Sequence, residues 1–276
     1  MAVLRSQAAW RPANDNRRRQ LHRFGWRRAL RLGEVGLDVR DAVVMVTGSN
    51  RGLGRAFVDA FLQAGAAKVY ATMRRPDPAL FGDPRVQAVP LDVTDDGSVA
   101  RLAAEAGDTQ ILVNNAAALT KLAALGAPDI EGARMEMEAN YFGVLRMCRA
   151  FAPILAANGG GAIVNILSIG ALANVPSSGS YCASKAACWS LTQAVRAELR
   201  GQGTLVMAVF AGAIATEMAR AGNTTPRCPP DVMAANIVEA LRRDETNVFP
   251  DTSSAATGEL YKKDPWALEA QLGRNR

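Results

Sequence analysis

From residue 42 to residue 210 the chain alternates short, nearly continuous apolar runs with longer stretches in which apolar positions recur every three or four residues. The runs are Ala42–Thr47, Lys68–Thr72, Val86–Val93, Ile111–Asn115, Ala162–Ser168 and Thr204–Phe210. Runs of this length, rich in Val and Ile, predict strands buried on both faces of a parallel sheet. The stretches between them predict helices over Arg55–Ala64, stopped by Gly65, over about Asp95–Ala106, over about Pro128–Ala156, and from the segment holding Tyr181 and Lys185 to about Arg200. Helices separating parallel strands make a doubly wound α/β sheet, whose ligands bind beyond the carboxyl ends of the strands. Asp92, Asn114, Ser168 and Gly212 all fall at or just after such ends. No internal repeat or low-complexity linker interrupts the pattern, so residues 41–276 are read as one domain. Near the end, Asp264–Leu272 has the pattern of a short amphipathic helix opening on a proline, suited to packing on its own body or on a neighbouring subunit.

Charge changes the picture at the amino end. The 276 residues carry a formal net charge of +6, yet residues 1–40 alone hold ten Arg against Asp15, Glu34 and Asp38. The rest is close to neutral, so the basic balance belongs to the leader and nucleic acid is not an expected partner of the body. That leader, with Arg17-Arg18-Arg19 and no sustained apolar period, reads as a mostly disordered extension. Three roles are open to it: a solvated tail, an arm for an anionic partner or a neighbouring subunit, and an Arg-rich transit peptide. No apolar run reaches the roughly 18 residues that a membrane span needs. Cys148, Cys182, Cys188 and Cys228 show neither CxxC spacing nor a secretory signal. Together these predict a soluble, cytoplasmic chain with reduced thiols. The single histidine, His22, sits in the leader. A Ser-His-Asp hydrolase, a His-Cys thiol enzyme and a His-based zinc dehydrogenase all need imidazole in the core, so acid–base work falls to Tyr, Lys or carboxylates and no metal site is expected.

Two motifs carry candidate chemistry. The first run leads into Gly48-Ser-Asn-Arg-Gly52-Leu-Gly54 and then into a helix. Strand, glycine turn and helix in that order make a Rossmann-like cradle for a dinucleotide diphosphate, because glycines let the backbone approach and the helix N-terminus favours negative charge. After the second run stand Arg74 and Arg75, with no acid before Asp77. An acid there takes the ribose hydroxyls, whereas an arginine accommodates a 2′-phosphate; with Arg51 as a second cation, the sequence favours NADP over NAD. Tyr181 and Lys185, four residues apart, share one helix face. A phenol, titrating ordinarily at about 10, becomes a better acid beside an ammonium that stabilises phenolate, and the pairing suits proton transfer to a carbonyl.

In their order and spacing, Thr47-Gly-Ser-Asn-Arg-Gly-Leu-Gly54, Asp92-Val93, Asn114-Asn-Ala-Ala117, Asn140 in Asn-Tyr-Phe-Gly143, Ser168 and Tyr181-xxx-Lys185 resemble the short-chain dehydrogenase/reductase family over about residues 41–250. The resemblance implies an NAD(P)-dependent oxidoreductase that interconverts a carbonyl and an alcohol. Tyr181 would be acid in reduction and base in oxidation. Lys185 would hold the nicotinamide ribose and ease phenolate formation, Ser168 would bond the substrate oxygen, and Asn140 would hold a water linking Lys185 to solvent. For the cofactor, the resemblance implies Gly48, Asn50, Arg51, Gly52, Leu53 and Gly54 at the diphosphate turn, Arg74 at the 2′-phosphate, and Asp92 and Val93 at the adenine. It further implies Asn114 and Ala116 along the adenosine and ribose, through backbone and side chain, and Ile214 and Thr216 at the nicotinamide end.

Substrate contacts would come from Ser168, Tyr181, Leu172, Val175 and Met218, with Ala118, Leu119 and Phe210 completing a mainly apolar pocket and Arg220 the one nearby cation. A small to medium ketone, aldehyde or secondary alcohol fits such a pocket, and the family commonly forms homodimers or homotetramers. Two positions depart from the family pattern: Ala117 stands where Gly is usual, and Ala211-Gly212 replaces Pro-Gly, which leaves that turn less rigid. A dinucleotide-sensing regulator and a dehydratase or epimerase of the same fold are the other readings. The regulator would be expected to lack Ser168, Tyr181 or Lys185, and all three are present.

Overall fold

The apolar runs pair side by side, all in parallel. The computed structural model describes residues 37–215 and 227–274. Its strands are β1 (Val43–Thr47), β2 (Lys68–Met73), β3 (Val86–Pro90), β4 (Ile111–Asn114), β5 (Gly161–Ile166), β6 (Thr204–Val209) and the two-residue β7 (Asn247–Val248). They lie in the order β3-β2-β1-β4-β5-β6-β7, a single Rossmann-like α/β domain whose strand order reverses between β1 and β4. Pro90, which has no N–H to give, closes the edge strand β3, where its absence costs least.

Both faces of the sheet are covered, which is why its strands read as continuous apolar runs. On one face Met45, Leu112 and Ile163 pack with α2 (Asp96–Glu105), α4 (Gly143–Ala157) and α5 (Gly179–Leu199), through Leu102, Phe151 and Val195 among others. On the other, α1 (Gly52–Gln63) buries Phe57, Val58 and Phe61 and packs against α6 (Pro230–Arg242). No helix among the described residues is long and apolar enough to cross a membrane.

The helix expected over Pro128–Ala156 is interrupted. It comprises α3 (Glu131–Met137), one π-helical turn over Glu138–Phe142, and α4, with backbone angles at both junctions still helical. Asn140 sits inside that π turn, a kind of irregularity that recurs at functional sites. Beyond β6 the sequence reading assigned no helix or strand before residue 264, whereas the chain forms α6, β7 and α7 (Thr252–Lys263) there. The terminal helix is present as α8 (Pro265–Leu272), capped by the Asp264 carboxylate, which accepts the Ala267 N–H at 3.0 Å. It buries Leu268 and Leu272 against its own body and leaves Trp266 79% exposed. The leader as far as residue 36, and residues 216–226 with Thr216, Met218 and Arg220, lie outside the described residues.

Phe210 corrects the pocket reading. It follows β6 into the core at 2% exposure, stacked on Phe249 with ring centroids 5.0 Å apart and meeting Trp189 edge-on at 5.0 Å. Its side chain is core, not pocket wall. Phe210→Ala should therefore cost about 3–5 kcal/mol, read as a lower denaturation midpoint at unchanged slope in urea unfolding.

Candidate functional site

At the reversal point the ends of β1 and β4 are cross-linked by two side chains. Thr47 Oγ1 donates to the Val113 carbonyl at 3.2 Å and accepts the N–H groups of Asn115 and Ala116, both at 2.9 Å. Asn115 Nδ2 donates to the carbonyls of Thr47 and Gly48 at 2.8 and 3.3 Å. These bonds hold open the glycine turn. Gly48 and Gly52 have φ of 71° and 56°, angles that other residues adopt only with strain. At Gly54 a Cβ would lie 2.0 Å from the Gly48 carbonyl oxygen, so only glycine lets the turn fold back so tightly. The N-cap residue of α1, Arg51, makes no side-chain capping bond to its first turn. A close backbone turn at a helix N-terminus is what a diphosphate requires, so the residues present fit a dinucleotide. Leu53 is buried beneath this turn, and Asn50 and Arg51 are exposed on its rim.

Along the same edge, Arg74 is exposed just after β2 and Asp92 is half-buried after β3. The Thr94 hydroxyl and N–H, bonded to Asp92 at 2.7 and 2.9 Å, hold that carboxyl below its ordinary value, and the Arg74 charge adds to the effect. Val93 packs over Gly143, where a Cβ would come within 2.9 Å of it. Ile214 pairs with Cys228 in an isolated bridge. Asn114 is the last residue of β4. It is 3% exposed, and its Nδ2 donates inward to Asn165 Oδ1 at 2.8 Å. Asn165 Nδ2 in turn reaches Thr192 Oγ1 at 3.0 Å, so the Asn114 amide nitrogen straps β4 to β5 and α5, while its buried Oδ1 has no partner among the described residues.

Just beyond β5, Ser168 caps a short 3₁₀ turn, accepting the Gly170 N–H at 3.1 Å, and its hydroxyl acts on the Tyr181 phenol. Lys185 is 3% exposed; its Nζ lies 5.7 Å from the Tyr181 ring centroid and donates to the Ile166 carbonyl at 2.8 Å. Burial pushes the Tyr181 phenol well above its ordinary value, against the opposing effect of the Ser168 hydroxyl. Burial likewise pushes Lys185 down. Both shifts run toward the uncharged forms, so burial opposes the phenolate–ammonium pairing that the spacing suggested. Asn140 is fully buried: Oδ1 accepts the Ala118 N–H at 2.8 Å, and Nδ2 donates to the Ala118 carbonyl and to Ser184 Oγ, both at 2.9 Å. Ser184 Oγ donates to the Tyr181 carbonyl at 2.7 Å, which joins Asn140 to the helix turn carrying the phenol. Leu172 and Val175, both half-buried, lie in the segment between Ser168 and α5.

The model of the short chain dehydrogenase family matches residues 42–227. The chain belongs to the short-chain dehydrogenase/reductase family. Its members are NAD(P)-dependent oxidoreductases. Among solved structures, a short chain dehydrogenase from Burkholderia cenocepacia, in complex with NADP, superposes with a TM-score of 0.81 at 39% identity, over 86% of this chain and 99% of that one. A Monascus purpureus short chain dehydrogenase is 36% identical over 192 residues, which are 64% of this chain and 66% of the relative. A sorbitol dehydrogenase of Cereibacter sphaeroides is 38% identical over 179 residues, 62% of this chain and 69% of that protein.

The two departures from the family pattern have structural answers. Ala117 is not among the described residues with positive φ, so its methyl adds no left-handed strain. The Gly212 N–H is held by Asp251 Oδ2 at 2.9 Å, a clamp from the start of α7 on the turn that lacks proline. Sequence reasoning missed Asp251, because nothing marks one acid as reaching a backbone 39 residues away. It also assigned no role to Thr47 or Asn115, although the Asn-Asn doublet at a strand end was a signal. Gly54→Ala should destabilise the fold by about 2 kcal/mol or more, lowering the thermal midpoint in circular dichroism by roughly 5 °C or more.

Proposed function

We propose that the chain is an NADP-preferring oxidoreductase that interconverts a small to medium ketone or aldehyde and the corresponding alcohol. The observation that carries this reading is the grouping of Ser168, Tyr181 and Lys185 at the end of β5, on the same sheet edge as the glycine cradle. When bound, the nicotinamide supplies or takes the hydride. Ser168 holds the substrate oxygen, and Tyr181 gives it a proton in reduction and takes one in oxidation. Lys185 bonds the nicotinamide ribose, and Asn140, through Ser184, keeps the turn of Tyr181 in place. A hydroxyl pair aimed at one oxygen stabilises the alkoxide as it develops. The name of the Cereibacter relative supports an alcohol and its carbonyl as the substrate pair.

Preference for NADP is supported by the exposed Arg74, whose charge acts on Asp92 at the adenine end, and by the NADP complex of the Burkholderia relative. A homodimer or homotetramer in the cytoplasm is the proposed setting, supported by the exposed apolar side chains of Met135, Phe142 and Trp266. Fluorescence titration with NADPH and NADH in parallel tests the cofactor without a known substrate. NADPH should bind at least about tenfold tighter, a difference of roughly 1.4 kcal/mol, and Arg74→Ala should remove most of it. Equal affinities would sink the preference.

Tyr181→Phe should leave NADPH affinity within about twofold and lower turnover by about 10²- to 10⁴-fold, because it deletes only the proton carrier. Near-normal turnover would overturn the mechanism. The pH dependence has a definite sign. A phenol raised by burial stays protonated through neutral pH, so reduction should be flat there. Oxidation needs the phenolate and should climb with pH, by up to about tenfold per unit, in steady-state assays from pH 6 to 10.

A further inference from the structure

Glu136, on α3, is completely buried, and no salt bridge to it is found among the described residues. Its carboxylate instead accepts three hydrogen bonds. Oε1 takes the N–H and the Oγ1 hydroxyl of Thr120, each at 2.7 Å, and Oε2 takes the Ser180 hydroxyl at 2.5 Å. All three bonds are donated to the carboxyl oxygens. Ser180 is the second residue of α5, so the negative charge also sits at a helix N-terminus.

This contact repeats one already described. One turn further along, Asn140 joins Ala118 in the loop after β4 to Ser184 on α5. Glu136 joins Thr120 in the same loop to Ser180, one turn earlier on the same helix. The two bridges form adjacent rungs between the same loop and the same helix, and Tyr181 lies between their feet. Around the Glu136 rung the packing leaves no slack. A Cβ on Gly132 of α3 would meet Thr120 at 3.3 Å, and one on Gly179, the first residue of α5, would meet Ala124 at 2.9 Å.

We propose that Glu136 is a positioning residue for the proton donor, a buried carboxylate that fixes the first turn of α5, and with it Tyr181, against the loop that follows β4. The proposal rests on the reading of Tyr181 as that donor. A charge held in this place also acts on the phenol. Burial is the largest influence on Tyr181, and the Glu136 charge works in the same direction, keeping the proton on. The other groups facing the phenol are Ser168 from the end of β5, and Lys185, Cys182 and Cys188 on α5 itself.

The test reads Tyr181 directly and needs no substrate. The full chain is labelled with ¹³Cζ-tyrosine, and Tyr181→Phe assigns its resonance among those of Tyr70, Tyr141 and Tyr261. Glu136→Gln keeps the volume and an acceptor for Thr120 but removes the charge. Its Tyr181 signal should begin to titrate at lower pH than in the parent chain, by on the order of one unit, over the range in which circular dichroism shows the fold intact. Coincident titration curves, with or without a lower thermal midpoint, would reduce Glu136 to a structural residue and overturn the proposal. Where Glu136→Gln does not fold, Ser180→Ala removes only the rung's foot on α5; it should displace the Tyr181 resonance at neutral pH, and an unmoved resonance overturns the proposal equally. Neither outcome touches the reaction assignment, which the turnover of Tyr181→Phe decides on its own.

Discussion

A helix that carries a proton donor must be held in register along its axis, and apolar packing alone holds register poorly, because a greasy face can slide and repack. In this chain the register of α5 is set by directional bonds. Ser180 and Ser184 meet Glu136 and Asn140; Lys185 reaches the Ile166 carbonyl; Thr192 meets Asn165; and Arg196 donates to the Val206 carbonyl at 2.9 Å. These contacts run nearly the length of the helix and tie it to α3, the π turn, β5 and β6 in turn. Most are buried, so each one lost would strand a polar group away from water. That penalty makes a slipped helix expensive and fixes where the Tyr181 phenol stands relative to Ser168.

The same burial that fixes the geometry works against ionisation. Tyr181 is held above its ordinary value and Lys185 below, both chiefly by desolvation. On the proposed mechanism a neutral phenol is a competent proton donor, so the shift suits reduction and opposes the reverse. Lys185 donates to the Ile166 carbonyl, a bond that ties it to the end of β5 beside the phenol. The Glu136 charge acts in the same direction as burial, keeping the proton on the phenol.

Much of this was legible in the sequence. Six of the seven strands and the helix of Tyr181 and Lys185 were visible as apolar runs and periods, because a parallel sheet buried on both faces forces that pattern on β1, β4 and β5. The glycine turn was legible because positive φ and close approach admit little besides glycine. What was not legible is what periodicity does not encode. A single π turn shifts Asn140 around its helix without altering residue types. β7 is two residues long, and α7 is rich in Ser, Thr and Ala, so neither makes an apolar run. Phe210 looked like pocket wall because it stands at a strand end, yet Trp189 and Phe249 claim it for the core. Long-range partners, Glu136 for Ser180 and Asp251 for Gly212, are set by how the elements meet and leave no mark on spacing.

The two positions that depart from the family pattern show how a site keeps its shape while its residues change. A proline before Gly212 would restrict the turn from within, by fixing one φ. Asp251 restricts it from outside: one carboxylate oxygen accepts the Gly212 N–H, while the other accepts the Ser254 N–H at 3.0 Å and caps α7. A Cβ at Gly212 would fall 2.6 Å from that carboxylate, so the clamp and the glycine require each other. Rigidity at the end of β6 has moved from a covalent ring to a hydrogen bond across the sheet edge. The constraint is now shared with the capping of α7, so the segment after β6 is held at its base by the start of that helix.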